Sequence, residues 1–167
     1  WAGQSTSLAY ITGFVDTDFT AGYEEARSSA LRALELNPDL PEAYVALATI
    51  QSSYDWDWVG AEASLRRALD LRPGDTAIRL SLAQLKSALG MQDEAFFDVQ
   101  QVVEQDPLNW RALSRLGMGF ATRGRFDDAL RIFDNLEAID ASRTALYWSR
   151  GTLWMMQGDY EQALEEL

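Results

Sequence analysis

Apolar residues recur along this chain at helical spacing, and the pattern is interrupted at a nearly fixed interval. From Thr76 to Asn109 two amphipathic helical patterns flank a turn at Gly90-Met91-Gln92, and Pro107 closes the stretch. A step of 34 residues leads from Gly90 to Gly124 and on to Gly158. The same step joins Ala61, Ala95, Ala129 and Ala163, and a step of 35 reaches back to Ala26. Pro73 and Pro107 are 34 apart, and Pro38 and Pro73 are 35 apart. A period in the range of roughly 20–50 residues is the signature of a repeat architecture.

The elements follow from that pattern. Leu8 to Asp18 carries a weak helical face, with Ala21-Gly22 expected to turn the chain after it. Tyr23 to Leu36 is a stronger helix, with Ala26, Ala30, Ala33 and Leu34 inward, and Asn37-Pro38 ends it. Pro41 opens the next helix, where its missing N–H costs nothing. Its expected buried stripe is Tyr44, Leu47, Ala48 and Gln51. A Trp-rich turn, Tyr54 to Trp58, is read as one residue longer than its later counterparts, which accounts for the spacing of 35. Ala61, Leu65, Ala68 and Leu69 mark the partner helix. In the next pair, Leu113, Leu116, Gly117 and Phe120 face Phe126, Ala129, Phe133 and Leu136 across Arg123-Gly124-Arg125. Ala141 stands where a closing proline is expected. The last helices run from Thr144 to Met156, with Tyr147, Gly151 and Trp154 on the packing face, and from Glu161 to Leu167. Arg150 falls at a position expected to be apolar. The chain reads as one array over residues 1–167, with approximate units 8–40, 41–75, 76–109, 110–143 and a shortened 144–167. It begins without Met and stops within a helical pattern, so it reads as part of a longer polypeptide.

Composition narrows the chemistry. Among 167 residues there is no Cys and no His, and the net charge is −12. Disulfides, thiolate nucleophiles, Cys/His zinc sites and His-based proton transfer are therefore excluded. The one lysine is Lys86 and the arginines are scattered, which is unsuited to releasing counterions from nucleic acid. Acidic character also repels anionic membranes. No apolar run approaches the roughly 18–20 residues needed to span a bilayer. A cytoplasmic location is expected.

Several positions recur in phase. A small residue stands at Ala48, Ala83, Gly117 and Gly151. An aromatic follows the turn at Tyr23, Trp58, Phe126 and Tyr160, with Gln92 as the exception. An alanine recurs on every second helix. With the closing prolines, these resemble the tetratricopeptide repeat, a helix–turn–helix of 34 residues. The resemblance covers nearly everything from Gly22 to Leu167. It implies an all-α fold, an α-α superhelix in which antiparallel helix pairs stack as a solenoid. Small residues then let helices approach, and aromatics fill the wedge between pairs.

The resemblance also implies a concave groove lined by the first helix of each pair. Position by position, the protein-binding lining is Val45, Thr49 and Ser52; then Leu80, Gln84 and Ser87; then Arg111, Ser114, Met118 and Thr122; then Trp148, Thr152 and Met155. Glu42, Ser53, Ala77, Ala88, Ala121, Ala145 and Met156 complete the implied lining. The surface is largely uncharged, and Trp148, Met155 and Met156 either contact ligand or belong to packing. Family members that clamp a C-terminal carboxylate use Lys and Asn where this chain has Val45, Leu80, Ser114, Trp148, Thr49, Gln84, Met118 and Thr152, so that clamp is absent. The Trp-rich turn resembles the repeat arrays of bacterial regulators that carry a winged-helix or nucleotide-cyclase domain.

No catalytic constellation is found. Glu24/Glu25, Asp127/Asp128 and Glu165/Glu166 lie on polar helix sides. Ser28/Ser29 and Ser52/Ser53 have no activating histidine, and Lys86 lies in no serine–lysine motif. Asp55 and Asp57 are too few for a cation site, and Asp57 is expected to cap a helix. The expected function is thus a non-catalytic protein-interaction scaffold with no cofactor and no metal, binding a peptide or helix. A self-association module, as a homodimer, or an intramolecular regulatory arm are the alternatives.

Overall fold

The computed structural model describes residues 19–139 and 144–166. The expected helix at Leu8–Asp18 and the substitution at Ala141 lie outside them. Among the described residues the chain is helical throughout, with no strand. The helices are α1 (Phe19–Leu36), α2 (Pro41–Ile50), α3 (Trp58–Leu71), α4 (Thr76–Ala88), α5 (Gln92–Gln105), α6 (Trp110–Ala121), α7 (Phe126–Ile139), α8 (Thr144–Gln157) and α9 (Tyr160–Glu166). A π-helical turn, Gln51–Asp55, follows α2. The described residues form two compact units, one ending at Ala95 and the other beginning at Phe96.

In the first unit α2 packs on α1 and α3, and α3 packs on α4. No turn forms at Ala21-Gly22, because α1 already includes both residues. Glycine costs a helix about 1 kcal/mol. Tyr23 offsets that here by burying its ring and stacking on Tyr54, with centroids 4.8 Å apart. The buried face of α2 also differs from the single stripe expected. Pro41, Ala43, Ala46, Ala48 and Ile50 are buried, whereas Tyr44, Leu47 and Gln51 are half-buried. A helix flanked on two sides buries more than one stripe, and small residues let both neighbours approach. Gln51 turns its amide oxygen to the Ser64 hydroxyl at 2.7 Å.

The extra residue of this pair falls before Trp56, at or ahead of the start of the expected Tyr54–Trp58 turn. Ala48 and Ala83 are 35 apart, but Trp56 and Gly90 are 34 apart. The added residue therefore lies between Ala48 and Trp56, where the backbone widens into the π-helical turn. Trp56 then takes a left-handed φ of 58°, in the place held by Gly90, Gly124 and Gly158 at φ 81°, 71° and 82°. At each of these glycines an added Cβ would meet no atom within 4 Å, so backbone conformation alone explains the residue type. Asp57 caps α3 by accepting the Gly60 N–H at 2.9 Å, as expected. Asp75 caps α4 by accepting from the N–H groups of Ala77 and Ile78.

In the second unit α6 packs on α7, α7 and α6 both meet α8, and α8 packs on α9. Phe133 is fully buried at the centre, with Leu113, Ala121, Ala129, Leu136, Leu146 and Leu153 around it. The recurring alanines Ala26, Ala61, Ala95, Ala129 and Ala163 are all buried. On α8 the expected packing face is met at Gly151, which is buried, and in part at Trp154, which is half-buried. Tyr147 is exposed, and Leu146 and Leu153 are buried in its stead. Arg150 is accommodated by reaching Glu137 at 2.8 Å and Asp134 at 3.7 Å, so its charge is met on α7.

Candidate functional site

Within the first unit, α2, α3 and α4 enclose an open cavity of about 330 Å³. Val45, Ala48 and Thr49 reach it from α2, and Ser52 and Ser53 from the π-helical turn. Trp58, Ala61 and Leu65 form its side on α3; Ser81, Gln84, Leu85 and Ala88 line it from α4. No lining residue is ionisable. The cavity exists because Ala48 and Ala61 are too small to fill the wedge between these helices, while Trp58 props its edge.

Three of the four hydroxyl groups of the lining, those of Thr49, Ser52 and Ser81, have a common geometry. Thr49 donates to the Val45 carbonyl at 3.0 Å, Ser52 to the Thr49 carbonyl at 3.2 Å, and Ser81 to the Ala77 carbonyl at 3.0 Å. The charged groups nearby are engaged in pairs. Glu42 accepts from Arg72 at 2.7 Å. Its carboxyl is held below the ordinary value of 4.5, first by a backbone N–H and then by Arg72. Asp55 accepts from the two terminal guanidinium nitrogens of Arg27, at 3.0 and 2.6 Å, which raises the Arg27 pKa. With Asp57 used as a cap, the two aspartates serve structure. Among the described residues no group of three or more His, Cys, Asp or Glu is placed to hold a metal ion.

Of the groove residues expected from the sequence, Val45, Thr49, Ser52 and Gln84 come together at this cavity, with Ser53 and Ala88 beside them. Leu80 does not. It is buried in the packed interior, and its neighbour Ser81 lines the cavity. Ser87 faces the following turn, donating to the Gln92 side chain at 3.2 Å. The α3 contribution of Trp58, Ala61 and Leu65 was read in the sequence as packing alone. Their periodic recurrence was visible, but not that Trp58 would stay half-buried and that the three would border a cavity.

The remaining expected residues lie in the second unit. Arg111 and Thr122 are exposed on or beside α6; Ser114 is half-buried, 3.4 Å from the Ser149 hydroxyl. Met118 is half-buried and packs on the Phe133 cluster, and Ala121 is buried within it, so Ala121 cannot face a groove. On α8, Trp148 is 64 % exposed and Met155 45 %, with Met156 exposed beside them. Thr152 hydrogen-bonds back to the Trp148 carbonyl at 2.7 Å.

Helix pairs of this period, with glycine turns and buried alanines in phase, meet a direct counterpart among known proteins. Residues 94–144 and 115–167 match the family model described as tetratricopeptide repeat. Residues 94–167 carry tetratricopeptide repeats. It is 30% identical over 141 residues to cellulose synthase operon protein C of Pseudomonas fluorescens, covering 84% of this chain and 10% of that protein. It is 27% identical over 144 residues to superkiller protein 3 of Schizosaccharomyces pombe, covering 81% and 10%. The repeat segment thus spans about a tenth of either relative's length. Among solved structures, a thermophilic tetratricopeptide-repeat protein from Thermus thermophilus superposes with a TM-score of 0.76 at 18% identity, covering 99% of this chain and 88% of that one. YrrB, described as a tetratricopeptide-repeat protein with an unusual peptide-binding site, gives 0.65 at 20% identity, covering 97% and 80%. The fold class is therefore all-α, a tetratricopeptide-repeat solenoid of antiparallel helix pairs.

Proposed function

We propose that this repeat segment is a non-catalytic scaffold that holds a peptide or helix against the cavity between α2, α3 and α4. The uncharged cavity carries the reading, because it offers an apolar anchor site bordered by hydroxyl oxygens. The peptide-binding description of YrrB supports it by likeness of fold. An affinity near 1 μM, about −8 kcal/mol, is ordinary for such a site. The partner is a protein, with no nucleic acid or membrane involved, and the setting is a regulatory region of a larger cytoplasmic protein. No described helix is long and apolar enough to cross a membrane. The test is to identify a partner by capture from lysate and then titrate it, purified, against wild type and Ala88→Trp. Equal affinity for both would rule out the cavity as its site.

A second reading rests on the exposed Tyr147, Trp148, Met155, Met156, Tyr160 and Leu164 of α8 and α9. Apolar side chains gathered on adjoining helices suit self-association as a homodimer. Sedimentation equilibrium of wild type and Trp148→Glu checks it, and a concentration-independent monomer mass for wild type would refute it.

A further inference from the structure

We infer that the cavity between α2, α3 and α4 selects a basic amphipathic peptide segment and rejects an acidic one. The inference rests on the scaffold reading and gives its ligand a chemistry. A hydroxyl group has one proton to donate. Those of Thr49, Ser52 and Ser81 are already given to the backbone carbonyls of Val45, Thr49 and Ala77. What these side chains present to a ligand is lone pairs. Ser53 and the Gln84 amide, which also carry donors, complete the polar border, so acceptors outnumber donors there, and the half-buried Val45 and Trp58 offer the apolar surface for the anchor. A ligand carboxylate would lose hydration there and meet more oxygens than donors, whereas N–H and ammonium groups would find several acceptors.

Long-range charge acts in the same direction. Arg27, Arg66, Arg67 and Arg72 of this unit are each engaged by carboxylates, of Asp55, Glu62, Asp39 and Glu42 respectively. The chain carries a net charge of −12. Its field therefore draws basic flanks toward the site and repels acidic ones. A volume of about 330 Å³ lies at the small end of ligand clefts, suited to anchoring side chains of a segment.

The experiment uses three short fluorescein-labelled peptides, acetylated and amidated: an amphipathic Leu/Lys helix, its Leu/Glu counterpart, and a Ser/Lys peptide matched in charge. Each is titrated by fluorescence anisotropy, in about 0.15 M salt, with the wild-type chain, Ala88→Trp to block the cavity, and Thr49→Val to remove one acceptor. Far-ultraviolet circular dichroism checks that the variants remain helical. The Leu/Lys peptide should bind wild type, at least about ten-fold more tightly than the other two. Thr49→Val should weaken it roughly three- to ten-fold, and Ala88→Trp should abolish binding. If Leu/Glu binds as well and is also lost in Ala88→Trp, the charge selection is overturned and the scaffold reading stands. If Ser/Lys binds as tightly, or Ala88→Trp retains Leu/Lys, the acidic surface and not the cavity is binding, and both fall. Failure of all three peptides to bind overturns the inference.

Discussion

Gly117 is the position where an added methyl group should do harm. It lies on α6 facing Phe133 of α7, and a Cβ built there would sit 2.5 Å from Cε1, 2.8 Å from Cζ and 3.2 Å from Cδ1 of the ring. Carbon atoms pack at about 3.5–4.0 Å, so the ring would have to retreat by roughly 1 Å. Phe133 is fully buried, and Leu113, Leu136, Leu146 and Leu153 surround it. Overpacking of this kind costs about 1–3 kcal/mol. Alanine in place of glycine returns about 1 kcal/mol of helix propensity. Gly117→Ala should therefore lower stability by about 1 kcal/mol, whereas the same change at an open helical site raises it. In a urea titration followed at 222 nm, with a slope of about 2 kcal/mol/M, the midpoint should fall by about 0.5 M. Phe133→Leu is destabilising alone but frees the space, so Gly117→Ala should become neutral or stabilising in that background, with a coupling of about 1–2 kcal/mol. A midpoint that rises with Gly117→Ala in both backgrounds would refute the reasoning.

Further outcomes follow from the turn and the charged pairs. Trp56→Gly relieves a left-handed backbone but loses the edge-on contact with Trp58, so its stability should stay within about 1 kcal/mol of wild type, while Trp56→Val should lose about 1–2 kcal/mol in the same titration. Asp57→Ala removes the α3 cap and should cost about 1 kcal/mol, and Asp57→Asn, which still caps, should recover most of it. Because the folded-state pKa of Glu42 is lowered, its contribution is present above the ordinary 4.5 and is lost as pH falls through the depressed value. Glu42→Gln should then lose less stability than wild type between neutral pH and the acid side of that value, measured as urea midpoints; its partial exposure keeps the difference modest.

The period, the alanine positions and the glycine turns were legible because each expresses a local rule. A residue at positive φ or at a close helix contact is constrained whatever surrounds it. The burial of α2 was misread because a single stripe presumes one neighbour, and α2 has two. Leu80 was assigned to the groove by its repeat position, and Leu146 and Leu153 were passed over for Tyr147. A shift of one residue on a helix is about 100° of rotation, and packing of specific neighbours decides it. At the cavity, half the lining was read from first-helix positions. The other half, Ala48, Ser81 and Leu85 with Trp58, Ala61 and Leu65 of α3, depends on how three helices pack together.

The π-helical turn at Gln51–Asp55 separates the length of a pair from the placement of its neighbours. One additional amino acid widens the final coil of α2, and from Trp56 onward the spacing returns to 34. Segments copied by duplication need not then be of equal length to stack. The end of a first helix is a place where such a lineage can absorb an inserted codon without remaking the next helix, and where a designer can add one deliberately to move the residues bordering a cleft.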